Sequence, residues 1–294
     1  MITDGRKIRD EIKERLKEEV RNIHECLRLA IVLVGENPVS LSFIEEKKKF
    51  GREIGIDIRI YKFDEVISTT ALRDKLAEIV HIKQNTGVII QLPLPPQINT
   101  QYILNSVPSL KDIDVLSSRA LGDFYVGKRS VLPPVVGAIK TILEHINLGV
   151  NPIGLTCGIN EIQNFIIEKK VVIVGAGRLV GKPLAVWFVN LGAAVSVLNK
   201  NTKDIAKFTR DADILISGVG KPRFITADMV KQGAIALDCG TSVEKTDAGE
   251  KYSGDVDFEE VKEKAAYITP VPGGVGPITV AMLFKNLVEL AKMK

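Results

Sequence analysis

Cysteine, histidine and tryptophan are scarce in this chain, and long apolar runs are missing. The three cysteines, Cys26, Cys157 and Cys239, stand far apart, odd in number and without a CxxC pair. They do not read as a disulfide framework, and a reducing, cytoplasmic compartment is expected. The three histidines (His24, His81, His145) are scattered with no HxxxH or Cys/His spacing, so no metal site is expected. No run reaches the roughly 18 apolar residues of a membrane span. The opening MITDGRKIRDEIKERLKEEV is charged throughout and lacks a signal-type apolar core. A membrane partner is therefore not expected. Neither is nucleic acid, because the net charge is only +4 and the lysines are interleaved with glutamates. That mild basic bias does suit an anionic small molecule.

What is present is an ordinary globular composition, 45% apolar and 26% charged over 294 residues. Single cores stop growing at roughly 250–300 residues, so two domains are expected. Apolar spacing of a helix runs from Ile8 to Val20. LRLAIVLVG then reads as a strand ending at Gly35, and the segment from Ser40 to Ile54 as a helix stopped by Gly55. IDIRIYKF alternates as a strand, STTALRDKLAEIVHIKQ opens on hydroxyl caps as a helix, and TGVIIQLPLPP is a buried strand broken by prolines. This β-α-β-α-β order implies parallel strands joined by crossover helices. After Pro133 and Pro134 a second set begins with the helical VGAIKTILEHI, followed by an unassigned stretch from Asn151 to Glu168. The expected fold is two α/β domains with a cleft between them, the second a Rossmann-type dinucleotide-binding domain.

In KKVVIVGAGRLVGKPLAVWFVNLG, Gly175, Gly177 and Gly181 fall where a strand turns into a helix. Without side chains there, a pyrophosphate can approach backbone N–H groups and the positive helix end; the bland reading is a tight structural turn. The spacing is GxGxxxG, one residue longer than the commonest fingerprint, but the strand-before, helix-after context is the required one. NAD sites usually carry an acidic residue roughly 20 residues on. Here the next strand ends in Asn199, Lys200, Asn201 and Thr202, and a lysine there would attract a 2′-phosphate. NADP is therefore favoured over NAD, although lysines near surface turns are common.

In the first half, Phe43 and Lys47 lie four apart on one predicted helix and so share a face. From that helix alone, Lys47 reads more readily as part of a solvated lysine face. Gln91 ends a strand, where ligands gather in open α/β sheets, and KDID places Asp112 and Asp114 at the next connection. A lysine, an amide and a carboxylate converging on one cleft could hold a polar heterocycle and manage a proton. Near the C-terminus, three prolines and three glycines crowd ITPVPGGVGPITVAML, a side-chain-poor loop ahead of an apolar helix.

Together, TDGRKI, GENPVSLSFIEEKKK, IIQLPLP, KDID, VGAGRLVGKP and GDVDFEEVKEKAAYITPVPGGVGPITVAML resemble the bifunctional methylenetetrahydrofolate dehydrogenase/cyclohydrolase family. The likeness runs in order over nearly the whole chain. It implies a folate-binding catalytic domain over residues 1–135, an NADP-binding domain over 136–276, and a C-terminal helix (277–294) returning to the first. It also implies tetrahydrofolate substrates and a homodimer. By position, Lys47 matches the catalytic lysine, Gln91 its partner, and Asp114 the carboxylate holding the pterin. Ser40, Phe43, Pro272, Gly273 and Gly274 fall at the substrate. Gly175, Gly177, Arg178, Gly181, Lys200 and Thr202 fall at the cofactor.

Four departures stand out. The family tyrosine is Phe43, the glycine after KDID is Val115, and the PCTP motif survives only as LPPVVG (Leu132 to Gly137). About a dozen extra residues, within LTCGINEIQNFIIEKK, precede the cofactor strand. The implied reaction is oxidation of 5,10-methylenetetrahydrofolate by NADP, then hydrolysis of the methenyl product to 10-formyltetrahydrofolate. The alternatives are a dehydrogenase with weak or lost cyclohydrolase activity, a non-catalytic folate-binding relative, and another NADP-dependent dehydrogenase.

Overall fold

The computed structural model describes residues 1–148, 159–246 and 249–293. Cys157 and the start of the extra segment, Leu155 to Gly158, lie outside the described residues. Helix α1 (Gly5–Arg21) is followed by strand β1 (Arg28–Val34), α2 (Pro38–Ile54), β2 (Asp57–Phe63), α3 (Thr69–His81) and β3 (Asn85–Ile90). Short helices α4 (Thr100–Leu104) and α5 (Ser118–Tyr125) come next, then α6 (Pro134–Leu148) and α7 (Ile159–Ile166). The second strand series is β4 (Lys170–Val174), α8 (Gly181–Asn190), β5 (Ala194–Leu198), α9 (Ile205–Thr209), β6 (Ile214–Ser217) and β7 (Ile235–Asp238). A hairpin of β8 (Ser242–Thr246) and β9 (Gly249–Ser253), α10 (Phe258–Val261), β10 (Tyr267–Ile268) and α11 (Val275–Ala291) complete the described order. The fold is α/β, with parallel sheets as the element order implied. Among the described residues, no helix is long and apolar enough to cross a membrane.

The chain divides into two compact units. The first joins Glu11–Pro134 to Val280–Lys294; the second joins Met1–Asp10 to Val135–Thr279. Residues at the N-terminus group with the second unit because Ile2 bridges Ile268 and the Thr3 amide donates to the Ile268 carbonyl at 2.9 Å.

The first unit carries a parallel sheet in the order β2-β1-β3. The central β1, RLAIVLV, is buried almost throughout, as a parallel strand covered on both faces must be. The edge strand β2 alternates, and its exposed positions are polar or charged. On one face Val32, Val88 and Ile90 join Leu72, Leu76 and Ile79 of α3 in the core. On the other, Phe50 of α2 stacks on Phe284 of α11 with ring centroids 5.2 Å apart. A Cβ on Gly87 would sit 2.8 Å from Ile113 and 3.2 Å from Leu287, so this strand glycine is what lets α11 lie so close.

The second unit carries a five-stranded parallel sheet in the order β10-β7-β6-β4-β5. Strand β4 has β5 on one side and β6 on the other, so the crossovers diverge at its C-terminal end. Such a switch point opens the crevice in which doubly wound sheets bind ligands.

Candidate active site

Helix α2 carries the first part of the site, and local sequence sets its start. Asn37 caps it by accepting from the amides of Val39 (3.0 Å) and Ser40 (3.1 Å), with Pro38 in the first turn. Gly55 ends it in the left-handed region at φ 82°. Between these fixed ends Ser40, Phe43 and Lys47 follow one another at intervals of three and four along one stripe. Ser40 is buried and Lys47 half-buried, whereas Phe43 is 40% exposed, so the core does not consume its ring.

Gln91 follows the last residue of β3 and is 7% exposed. Its side-chain oxygen accepts from Lys47 Nζ at 2.8 Å, and its Nε2 donates to the Leu92 carbonyl at 2.9 Å. The amide is thus held by its own neighbour and presents an acceptor to the lysine. Asp114, from the loop after β3, acts on the same lysine through space. Burial lowers the Lys47 pKa, and the Asp114 charge partly restores it. Asp114 is half-buried, but surrounding protein weakens its hydration. Its carboxyl is pushed up to about 6, by burial first, with Lys47 opposing and Asp112 reinforcing. A lysine held below its usual range and a carboxyl held above it have ionisations drawn closer together, which favours proton exchange between them.

The two acids of KDID have different jobs. Asp112 is buried and accepts from the amides of Leu116 (3.1 Å) and Ser117 (2.8 Å), closing the loop around Asp114. Val115 adopts φ 57°, a left-handed conformation costing a β-branched residue about 1–2 kcal/mol. The glycine of the resembling family would take that conformation freely.

In the second unit, the loop after β4 fits a dinucleotide pyrophosphate. Gly175 has φ 113°, and its Cβ would lie 2.5 Å from the Gly218 carbonyl oxygen. A Cβ on Gly181 would lie 1.8 Å from the Gly175 oxygen, so strand end and helix start are in backbone contact. Gly177 instead has nothing within 4 Å of where its Cβ would be. Helix α8 begins without a side-chain cap at Val180; the Lys182 amide is spent on the Gly177 carbonyl at 3.0 Å and Pro183 has no N–H, so what its start offers an anion is the Gly181 amide and the positive helix end. Arg178 Nη1 is buried with no hydrogen-bond partner among the described residues. Open space at Gly177, the uncapped helix start and the unpartnered Arg178 nitrogen are what a phosphate group would satisfy.

Beyond β5 the chain turns at Asn199–Thr202. The Asn199 amide donates to Thr202 Oγ1 at 3.0 Å, so that hydroxyl closes the turn, and Lys200 is exposed at its tip. Asp204 is the nearest acid after the turn, and its side chain caps α9 on the Lys207 amide at 3.3 Å. The proline-glycine stretch is packed against its own chain. Gly274 would place a Cβ 2.5 Å from the Pro270 oxygen, and a Cβ on Gly5 would lie 1.8 Å from the Gly274 oxygen. Gly273, at φ 114°, has Arg6 beside it, whereas Pro272 is exposed.

Sequence reasoning passed over one constellation. Asp238, at the end of β7, accepts from the amides of Gly240 (2.8 Å), Asp255 (3.1 Å) and Val256 (2.9 Å). Asp255 in turn accepts from Ser217 Oγ (3.0 Å) and the amides of Val219 (2.6 Å) and Lys221 (2.9 Å). These buried acids knit the loops at the C-terminal ends of β6 and β7. Burial, with a contribution from Asp255, pushes the Asp238 carboxyl up to about 7. The signal was the glycine beside each acid. A Cβ on Gly254 would lie 2.0 Å from Asp238 Oδ2, and one on Gly240 2.2 Å from the Asp255 carboxyl carbon.

Comparison with known proteins gives the family of the chain. Residues 3–114 match the model for the tetrahydrofolate dehydrogenase/cyclohydrolase catalytic domain, and residues 150–294 that for its NAD(P)-binding domain. The bifunctional protein FolD of Fusobacterium nucleatum is 37% identical, covering 99% of this chain and 98% of that protein. That of Nautilia profundicola is 39% identical, covering 99% and 97%. The crystal structure of the bifunctional FolD enzyme from Campylobacter jejuni superposes with a TM-score of 0.88 at 37% identity, covering 100% of this chain and 99% of that one. The Trypanosoma brucei FolD structure, complexed with NADP cofactor and inhibitor, superposes at 0.89 with 30% identity and coverage of 100% and 97%. With both family domains matched in order and relatives aligned end to end, this chain belongs to the tetrahydrofolate dehydrogenase/cyclohydrolase family.

Proposed function

We propose that this chain oxidises 5,10-methylenetetrahydrofolate with NADP⁺ and hydrolyses the resulting 5,10-methenyltetrahydrofolate to 10-formyltetrahydrofolate. The observation that carries the reading is the Lys47–Gln91 hydrogen bond at 2.8 Å, with Asp114 acting on the same lysine, in a chain of this family. NADP⁺, when bound, supplies the hydride acceptor. Gly175, Gly177 and Gly181, with the positive start of α8, would hold its pyrophosphate, and Arg178 and Lys200 supply cations for phosphate. Thr202 shapes the turn that carries Lys200.

On the substrate side, Asp114 is an acceptor for the amino-pyrimidine edge of the folate, and Phe43 is a flat surface for the ring system. Ser40 lies one turn before Phe43 on the same helical stripe. Hydride transfer asks mainly that the donor carbon be held in place, so positioning carries that step. Hydrolysis adds a proton problem, because water attacking the methenyl carbon must shed a proton. Lys47, with its pKa lowered and its Nζ oriented by Gln91, takes or returns that proton. One observation favours a weaker second activity: Phe43 offers no hydroxyl to orient either the lysine or the water. Pro272, Gly273 and Gly274 shape the turn that leads into α11.

A homodimer in a reducing, cytoplasmic setting completes the proposal. Strand β5 lies at the edge of its sheet with Val197 38% exposed, and Val189 of the helix before it is 61% exposed. Cys26 and Cys239 are both free thiols. The test of function is to mix the protein with methylenetetrahydrofolate and NADP⁺ or NAD⁺ and follow reduced-cofactor and methenyl absorbance. Reduction of NADP⁺ in preference to NAD⁺, with decay of the methenyl signal, is expected. Absence of reduction with both cofactors would overturn the reading.

A further inference from the structure

We propose that Asn286, on the C-terminal helix α11, is a positioning residue that sets the orientation of Asp114. This rests on Asp114 serving the substrate as argued above. From Ile113 to Ser117 the chain belongs to neither helix nor strand, so no regular ladder fixes it. Side chains hold it instead. Asn286 is buried, and its Nδ2 donates to the Ile113 carbonyl at 2.8 Å and to the Leu132 carbonyl at 2.7 Å. An amide nitrogen has two hydrogens, and both are used. The Ile113 carbonyl shares one rigid peptide plane with the Asp114 amide, so gripping it fixes the direction in which the chain enters Asp114.

The preceding carbonyl, that of Asp112, is gripped at 2.7 Å by Arg129 Nη2, which also donates to the Ser109 carbonyl (3.0 Å), while Nη1 donates to Ser109 Oγ (2.6 Å). Two successive peptide planes are thus anchored before the chain reaches Val115 at φ 57°. A loop without those anchors would relax Val115 to negative φ and turn the Asp114 carboxyl out of its buried setting into solvent, where regained hydration outweighs the lost attraction to Lys47. Leu132 belongs to LPPVVG, so the same amide ties together two segments in which this chain departs from the family pattern.

The rival explanation is that Asn286 only satisfies two buried carbonyls. Asn286→Leu keeps similar bulk and removes both donors, and Val288→Ala on the same buried helix is the control for lost stability. Two readouts separate the ideas: titration of the Asp114 carboxyl by ¹³C NMR, assigned with Asp114→Asn, and the Michaelis constants for methylenetetrahydrofolate and NADP⁺. In Asn286→Leu the Asp114 midpoint should fall from about 6 toward the ordinary carboxylate range. The folate constant should rise about tenfold while that for NADP⁺ stays put. Arg129→Met, which frees the neighbouring carbonyl, should move both readouts the same way and serves if Asn286→Leu does not fold. An unchanged midpoint and folate constant, or equal changes in Val288→Ala, would overturn the proposal. A lowered midpoint in Asn286→Leu, with folate binding untouched in Asp114→Asn, would uphold the positioning and remove Asp114 from the substrate.

Discussion

On the function proposed above, the two units would hold a charged ligand in opposite ways. The second does it with backbone. Within seven residues, Gly175 to Gly181, one loop offers space, amides and a helix end, and the critical feature is the side chains it omits. The first does it with side chains from three segments: Lys47 on α2, Gln91 after β3 and Asp114 in a loop anchored by Arg129 and Asn286. Backbone sites depend on local conformation and tolerate no added atoms. Side-chain sites depend on burial, which shifts the ionisation of every group in them.

Glycine substitutions should break the second unit most sharply. Gly181→Ala would put a Cβ 1.8 Å from a backbone oxygen, and such a clash should cost about 3 kcal/mol or more and abolish NADP⁺ binding. Gly177→Ala meets nothing within 4 Å, so thermal stability should hold while NADP⁺ affinity falls. Calorimetric binding and melting curves on both variants make the comparison, and equal losses of stability would show that Gly177 is structural too.

In the first unit the largest effect belongs to Lys47→Met. Removing the proton carrier should slow methenyl hydrolysis by roughly 10²-fold or more and spare part of the hydride transfer. Assaying both steps on the variant checks it, and a parallel loss would make Lys47 a binding residue alone.

Asp114→Asn should produce a trade. A raised carboxyl pKa means that the folded chain holds its proton more tightly than the unfolded one. The group therefore favours folding as pH falls from about 6 toward 3.8 and opposes it at neutral pH. The neutral-pH cost is about 2–3 kcal/mol, already net of the attraction to Lys47. The variant should melt higher than the parent at neutral pH, with the gap closing in acid, yet bind folate analogues roughly tenfold more weakly. In the parent, that binding should fade as pH drops through about 6. A variant that loses binding without gaining stability would mean that Asp114 is solvated.

Phe43→Tyr should have the smallest effect, a rise of a few fold in hydrolysis relative to dehydrogenation. The ring is already 40% exposed, so the added hydroxyl meets no packed wall. An unchanged ratio of the two rates would place the hydroxyl outside the chemistry.

Local interactions made most of the architecture readable. The Asn37–Pro38 start and Gly55 stop of α2, the buried run of β1 and the strand–glycine–helix passage at Gly175 each involve neighbours within a turn or two. Short helices α4 and α5, started by Asn99 and Ser117 in stretches with little periodicity, were not legible. Nor was the β8–β9 hairpin.

The sequence by itself determined where the glycine loop lies, which lysine could face a strand end, and that Lys200 rather than an acid follows β5. It could not give the burial that shifts Lys47 and Asp114, nor the loop amides that occupy Asp112, because those are set by what packs around each group. Only the tertiary structure decided that Gln91 meets Lys47 from 44 residues away and that Asp112 is spent on loop amides. It also decided that Asn286 reaches back 173 residues to hold the peptide before Asp114. Spacing encodes which face of a helix a residue occupies, whereas desolvation and long-range hydrogen bonds exist only once distant segments have packed together.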